Sequence, residues 1–203
     1  SDTGFLKDVA SWCDKTGNTL LKSERVAQEN IAYIKKGTAS TVKKSEVKGE
    51  KTLVVFSGDL DKVLASFIIA NGAAAMNRPV TMFFTFWGLN ALRKSEHVKV
   101  KKPLIDKLFG LMMPRGSQKL KLSKMNMAGM GTAMLKKVMN DKNVDSLETL
   151  MKTAMANGVR LVACTMSMDI MGITKDELID GVEFGGVASY LGDAEEGNVN
   201  LFI

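Results

Sequence analysis

The sequence predicts an α/β fold: a sandwich around a mainly parallel sheet, preceded by a small N-terminal α+β piece. Three observations carry this expectation. Residues 51–58 (KTLVVFSG), 80–88 (VTMFFTFWG) and 159–164 (VRLVAC) are short apolar runs, the pattern of parallel strands covered on both faces. Segments with apolar residues at helical spacing alternate with them. The first strand, a helix and the second strand fit within about 35 residues, the length of a βαβ unit with a right-handed crossover.

The elements follow in order. Residues 4–16 place Phe5, Leu6, Val9, Trp12 and Cys13 on one stripe and predict a short helix ended by Gly17-Asn18. TLLKSERV and ENIAYIKK read as two strands joined by a turn at Ala27 and Gln28. This piece, residues 1–37, has too little core to stand alone. Residues 38–49 are polar and suit a linker, and residues 50–203 form the main domain. There Ser57-Gly58-Asp59 turns the chain into a helix carrying Leu60, Val63, Leu64, Phe67, Ile68 and Asn71. After the second strand comes a lysine-rich stretch, then helices in TAMLKKVMND and SLETLMKTAMANG. RLVAC is the next strand. Thr165, Ser167 and Asp169 supply helix-start residues behind it. TKDELIDG reads as a short helix, VEFGGVASYLGDAEEG as a strand and helix, and NVNLFI as the closing strand.

Composition narrows the function classes. The chain has 203 residues, 45% of them hydrophobic and 25% charged, with no apolar run approaching the ~20 residues of a membrane span. SDTGFLKDV lacks the basic and then apolar pattern of a secretory leader. Two distant cysteines make no disulfide framework and suit a reducing cytoplasm. One histidine and two cysteines do not supply a structural zinc site, so neither a resident metal nor a cofactor is expected.

The net charge of +6 is localised. Ten basic residues lie between Arg93 and Lys124 against Glu96 and Asp106, so that segment alone is +8. It carries no recognition-helix pattern, and Trp87 and Phe109 make no stacking platform, so nucleic acid is not an expected partner. The segment reads either as a solvated surface loop or as an anion- or partner-binding surface using His97, Lys101, Lys102 and Arg115. Twelve of the fourteen methionines fall between Met112 and Met171. Met151 and Met155 sit at core spacing. Met125, Met127 and Met130, flanked by glycine, suggest an oligomer interface, a lid over Cys164 or, more remotely, a copper(I) site.

Cys164 is the main candidate for chemistry. It stands where an apolar strand stops and a helix starts, the rim at which ligands gather in open α/β sheets. Backbone N–H groups and the helix dipole there favour thiolate over thiol. The alternative is a small apolar residue closing a core strand.

Residues 51–94 (KTLVVFSGDLDKVLASFIIANGAAAMNRPVTMFFTFWGLNALRK) and 159–191 (VRLVACTMSMDIMGITKDELIDGVEFGGVASYL) together strongly resemble the DsrE/DsrF/DrsH-like family, in its peroxiredoxin-like or sulfurtransferase branch. The resemblance covers about residues 50–203. It implies a three-layer flavodoxin-like fold, often oligomeric, and a cysteine that carries sulfur as a persulfide. Cys164, within ACTMSMD, matches that position. Thr165 and Ser167 are then candidate hydrogen-bond donors, and the Ser57-Gly58-Asp59 turn, on a neighbouring strand end, is expected to wall the same pocket. Asn71 and Trp87 are weaker candidates, and Asp169 would disfavour thiolate if it pointed inward. The resemblance implies donor and acceptor proteins or small thiols as partners.

Residues 4–36 resemble the second half of a TusA/SirA-like sulfur-carrier domain. That family's Cys-Pro-x-Pro motif is absent, since none of Pro79, Pro103 and Pro114 follows a cysteine. No relay role therefore passes to Cys13, which reads as structural. A peroxidatic cysteine wants an arginine and a hydroxyl close by; Thr165 could be the hydroxyl, but no arginine is evident near Cys164. The competing reading is a non-catalytic flavodoxin-like unit that binds a small ligand or assembles as a scaffold through its basic, methionine-rich region. Lacking G-x-G-x-x-G and P-loop patterns, it has a weak case for phosphate. Contact with a membrane surface through the same region is a further variant.

Overall fold

The computed structural model describes residues 9–10, 13, 18–27, 29–37 and 49–203. Val9, Ala10 and Cys13 are helical, and Cys13 is buried. The remaining expectations for residues 1–8, 11–12, 14–17, 28 and 38–48, including the linker, lie outside the described residues. Strands β1 (Thr19–Val26) and β2 (Glu29–Lys35) pair antiparallel as a separate two-stranded sheet. Ala27, at φ 54°, turns the chain between them.

The main domain is built on five parallel strands: β3 (Glu50–Val55), β4 (Val80–Phe84), β5 (Arg160–Cys164), β6 (Glu183–Gly185) and β7 (Gly197–Phe202). Their order is β6-β5-β4-β3-β7. The first four strands step in one direction across the sheet, then the chain returns to place β7 beside β3. With right-handed crossovers, the early connections fall on one face and the last on the other. The order differs from flavodoxin's own 2-1-3-4-5, so the likeness is one of layers rather than strand sequence.

Alternation along the strands divides the interior. Leu53, Val55, Met82, Phe84, Leu161 and Ala163 face the larger core, beneath α1 (Leu60–Ala75) and α4 (Leu147–Ala156). Ser146 starts α4 by accepting a hydrogen bond from the Thr149 N–H at 3.2 Å. Asn71 Nδ2 donates to the Leu150 carbonyl at 3.0 Å and ties the two helices together. The opposite face carries Val54, Phe83, Val162 and Cys164, under α6 (Val187–Glu196). Arg160 anchors α6 there by pairing with Glu183 at 2.8 Å and Asp193 at 3.2 Å.

Several local expectations need correction. The second strand stops at Phe84, and a 3-10 turn, Phe86–Leu92, follows. Phe86 has φ 45°, outside extended geometry. A Cβ at Gly88 would stand 2.1 Å from the Val55 carbonyl oxygen, so that turn lies against β3 as only glycine allows. The lysine-rich stretch is not a plain loop, because it contains α2 (Leu104–Met112). The remaining helices are α3 (Met130–Asp141) and α5 (Thr165–Met171), while TKDELIDG yields only a 3-10 turn, Lys175–Glu177. No helix of the described residues is long and apolar enough to cross a membrane.

Candidate functional site

Two locations carry the sequence-derived candidates, and the sheet holds them apart. β4 lies between β3 and β5, so the Ser57 turn is two strands from Cys164, about 10 Å at the usual strand spacing. The expected neighbouring position is therefore corrected.

At the end of β3, Ser57 Oγ donates to Asp59 Oδ2 at 2.9 Å and accepts from the Asp59 N–H at 3.1 Å. Lys62 pairs with the same carboxylate at 2.9 Å. A Cβ on Gly58 would come within 2.8 Å of the Trp87 carbonyl oxygen, so glycine is required where the two loops touch. Phe56, Ser57, Gly58, Asp59, Lys62, Trp87, Asn90 and Pro114 line an open cleft of about 360 Å³. Cys164, Thr165 and Ser167 are not among its walls. Trp87 belongs to this cleft, whereas Asn71 joins α1 to α4 through Nδ2, with its buried Oδ1 left without a hydrogen-bond partner.

Cys164 ends β5 and caps α5 with φ −68° and ψ 113°. Because β5 alternates, its side chain falls on the α6 face with Val162 and not on the larger core. Val54, Phe83 and Val162 form the surrounding cluster, Tyr190 packs against it, and the Phe83 and Tyr190 rings stand 5.2 Å apart. Cys164 is 1% exposed. The expectation of an open thiol at the rim is thus corrected: α6 covers it. Gly185, the register partner of Cys164 on β6, and Gly186, which precedes α6, lead the chain into that cover.

The hydroxyls behind Cys164 are engaged differently than expected. Ser167 is fully buried and its Oγ bonds Thr85 Oγ1 at 2.7 Å, fastening the first turn of α5 to the end of β4. Thr165 Oγ1 is buried without a hydrogen-bond partner. Thr165 therefore remains the hydroxyl with unused capacity next to Cys164.

Met125, Met127 and Met130 are all more than half exposed and do not belong to the Cys164 cluster, so they are not its lid. The described residues contain no group of three or more His, Cys, Asp or Glu suited to a metal.

Sequence reasoning missed a buried ionic cluster at the other end of α5. Arg93 is 1% exposed and pairs with Glu177 at 3.4 Å; Lys102 pairs with the same carboxylate and also donates to the Gly172 carbonyl behind α5. Burial pushes the Glu177 carboxyl up, but hydrogen bonds from Lys102 and the Thr174 N–H, with the charges of Lys102 and Arg93, bring it below its ordinary value. Glu177 also closes a capping box with Thr174. The Thr-x-x-Glu spacing was the available signal.

The comparisons with known proteins complete the picture. The pattern described as the DsrE/DsrF/DrsH-like family matches residues 48–202. An uncharacterized Bacillus subtilis protein, YrkE, is 59% identical over 152 residues, 75% of this chain and 95% of that protein. The sulfur carrier protein DsrE2 of Allochromatium vinosum is 38% identical over 155 residues, covering 74% of this chain and 96% of its own length. Among solved structures, the E. coli YchN protein aligns over 76% of this chain and 99% of its own, at 12% identity and a TM-score of 0.44.

Proposed function

The chain belongs to the DsrE/DsrF/DrsH-like family, and from that premise we propose that it is a sulfur-relay protein carrying sulfane sulfur as a persulfide on Cys164. The observation that carries this reading is the position of Cys164. It is the sole cysteine of residues 48–202, it ends a strand inside the sheet, and it begins a helix, in a domain 38% identical to a sulfur carrier.

The chemistry is thiol–persulfide exchange. The Cys164 thiolate attacks the outer sulfur of a donor R–S–SH, the donor S–S bond breaks, and R–S⁻ leaves with the electron pair. It takes up the proton that Cys164 released, so the step yields Cys164–S–SH and R–SH without net oxidation. Delivery repeats the exchange with an acceptor thiol. The inner sulfur starts buried, so loading requires the cover to shift. Arg160 ties Glu183 on β6 and Asp193 on α6 to the start of β5, so the cover that must shift is the stretch of α6 between them that carries Tyr190. Thr165 Oγ1 is the unspent hydroxyl available to the outer sulfur.

The expected partners are persulfide-bearing proteins or small thiols. Cys164, the cysteine of the matched domain, forms no disulfide, which suits a reducing cytoplasm. Residues 1–47 lie outside the family match. We read the β1–β2 hairpin with helical Val9, Ala10 and Cys13 as the closing half of a TusA-type domain, and the exposed methionines as a homo-oligomer contact.

Cyanolysis tests the reading. Cyanide removes the outer sulfur as thiocyanate and returns the thiolate. After exposure to a persulfide donor and desalting, the wild type should release about one thiocyanate per chain; Cys164→Ser should release none. Equal release from both proteins rejects Cys164 as the carrier. One observation favours a second reading, a small-ligand unit: the cleft beside Ser57 and Trp87 lies at β3, where the strand order reverses.

A further inference from the structure

The strongest unassigned feature is the basic pocket over the Arg93–Glu177–Lys102 cluster. Its cavity is about 340 Å³. Lys99, Lys102, Lys107 and Arg115 line it against only Asp106 and Glu177, and His97 stands at its wall. Arg93 lies beneath, bonded to the Gly110 carbonyl and to Glu177, both of which line the cavity.

Charge is not balanced here. Arg93 and Lys102, with side chains 0% and 6% exposed, share one carboxylate, Glu177, itself 5% exposed. Every Arg93 contact is long, at 3.4–3.5 Å, and its buried Nε has no partner. Burial and the nearby Arg115 charge hold the Arg93 guanidinium below its ordinary value, against the pull of Glu177. Among the described residues, Lys99, Lys107 and Arg115 form no ion pair. A buried cationic excess is costly without a counter-charge, and arginine with lysine is the donor set that suits an oxyanion.

We propose that this pocket binds a small dianionic oxyanion, free or as the head group of a phosphomonoester, held by Arg115, Lys99, Lys102 and Lys107 above the buried Arg93. The site is independent of sulfur loading. It lies at the far end of α5, about 10 Å of helix from Cys164. Binding there supplies the negative charge that Glu177 alone does not.

The test is isothermal titration of the full chain with inorganic phosphate at low ionic strength, with chloride of equal ionic strength as the reference. One saturable site per chain is expected. Arg115→Gln should weaken it about tenfold or more, that is by about 1.4 kcal/mol. The double variant Lys99→Gln/Lys107→Gln, confined to exposed side chains, should do the same, whereas Lys152→Gln on α4 should not. Tighter binding of glycerol 3-phosphate than of phosphate identifies the head of a larger molecule, and equal binding identifies a free oxyanion. Absence of saturable heat, or equal affinity in all variants, overturns the proposal.

Discussion

The two ends of α5 are built on opposite principles. At its start, Cys164 sits among Val54, Phe83 and Val162 with Tyr190 packed alongside, and the nearest polar tie is the Thr85–Ser167 hydroxyl pair. Behind its end, Gly172 accepts from Lys102, which joins Arg93 and Glu177 in a buried ionic cluster under a basic pocket. The apolar end holds the Cys164 sulfur away from water. The ionic end holds charge in place and leaves room for more. A short helix thus joins a site governed by access to a site governed by electrostatics.

Perturbing each end should give different signatures. The largest effect on stability should come from Glu177→Gln, which leaves Arg93 and Lys102 buried without their carboxylate and should cost about 3–5 kcal/mol. Urea unfolding measures it. A cost below about 1 kcal/mol would place that end with ordinary surface pairs. Acid titration sharpens the same point. The folded Glu177 carboxyl lies below its ordinary value of 4.5, so its contribution is complete above that value and is lost as pH falls through the lower folded value. Wild type should lose stability below about pH 4.5 more steeply than Glu177→Gln.

At the apolar end, access should respond more than stability. Tyr190→Ala should raise the rate at which Cys164 reacts with an aromatic disulfide reagent by about tenfold, through a more populated open state. An unchanged rate would mean that α6 is not the cover. The smallest effect expected is Ser167→Ala, about 1 kcal/mol for the lost Thr85 bond, measured by the same urea unfolding.

What the sequence made legible follows the same division. β5 and Cys164 could be read because an apolar run and a helix-start cluster are local signals, and the structure has β5 at Arg160–Cys164 followed by α5. The burial of Cys164 was not legible. Whether an alternating strand turns its last residue toward the rim or under a helix depends on α6, which crosses the sheet from β6 to β7. The α2 helix was missed although Leu104, Ile105, Leu108, Phe109, Leu111 and Met112 share one stripe of LIDKLFGLM, because the lysines around it read as a solvated loop; that stripe is not core, and Leu104, Leu111 and Met112 stay about four-fifths exposed. Pro103 at its start was the overlooked cue. The ionic cluster joins residues 84 and 75 positions apart, so only folding brings them together. His97, Lys102 and Arg115 do share a pocket, as one reading of the basic stretch anticipated, but Lys101 does not.

The relay account is tested most directly by intact-mass analysis of wild type and Cys164→Ser during exposure to a persulfide donor. The account predicts that wild type gains one sulfur atom, about 32 Da, and that Cys164→Ser gains none. A wild type that stays unloaded while the donor loads a control thiol, or a variant that loads equally through Cys13, would contradict it.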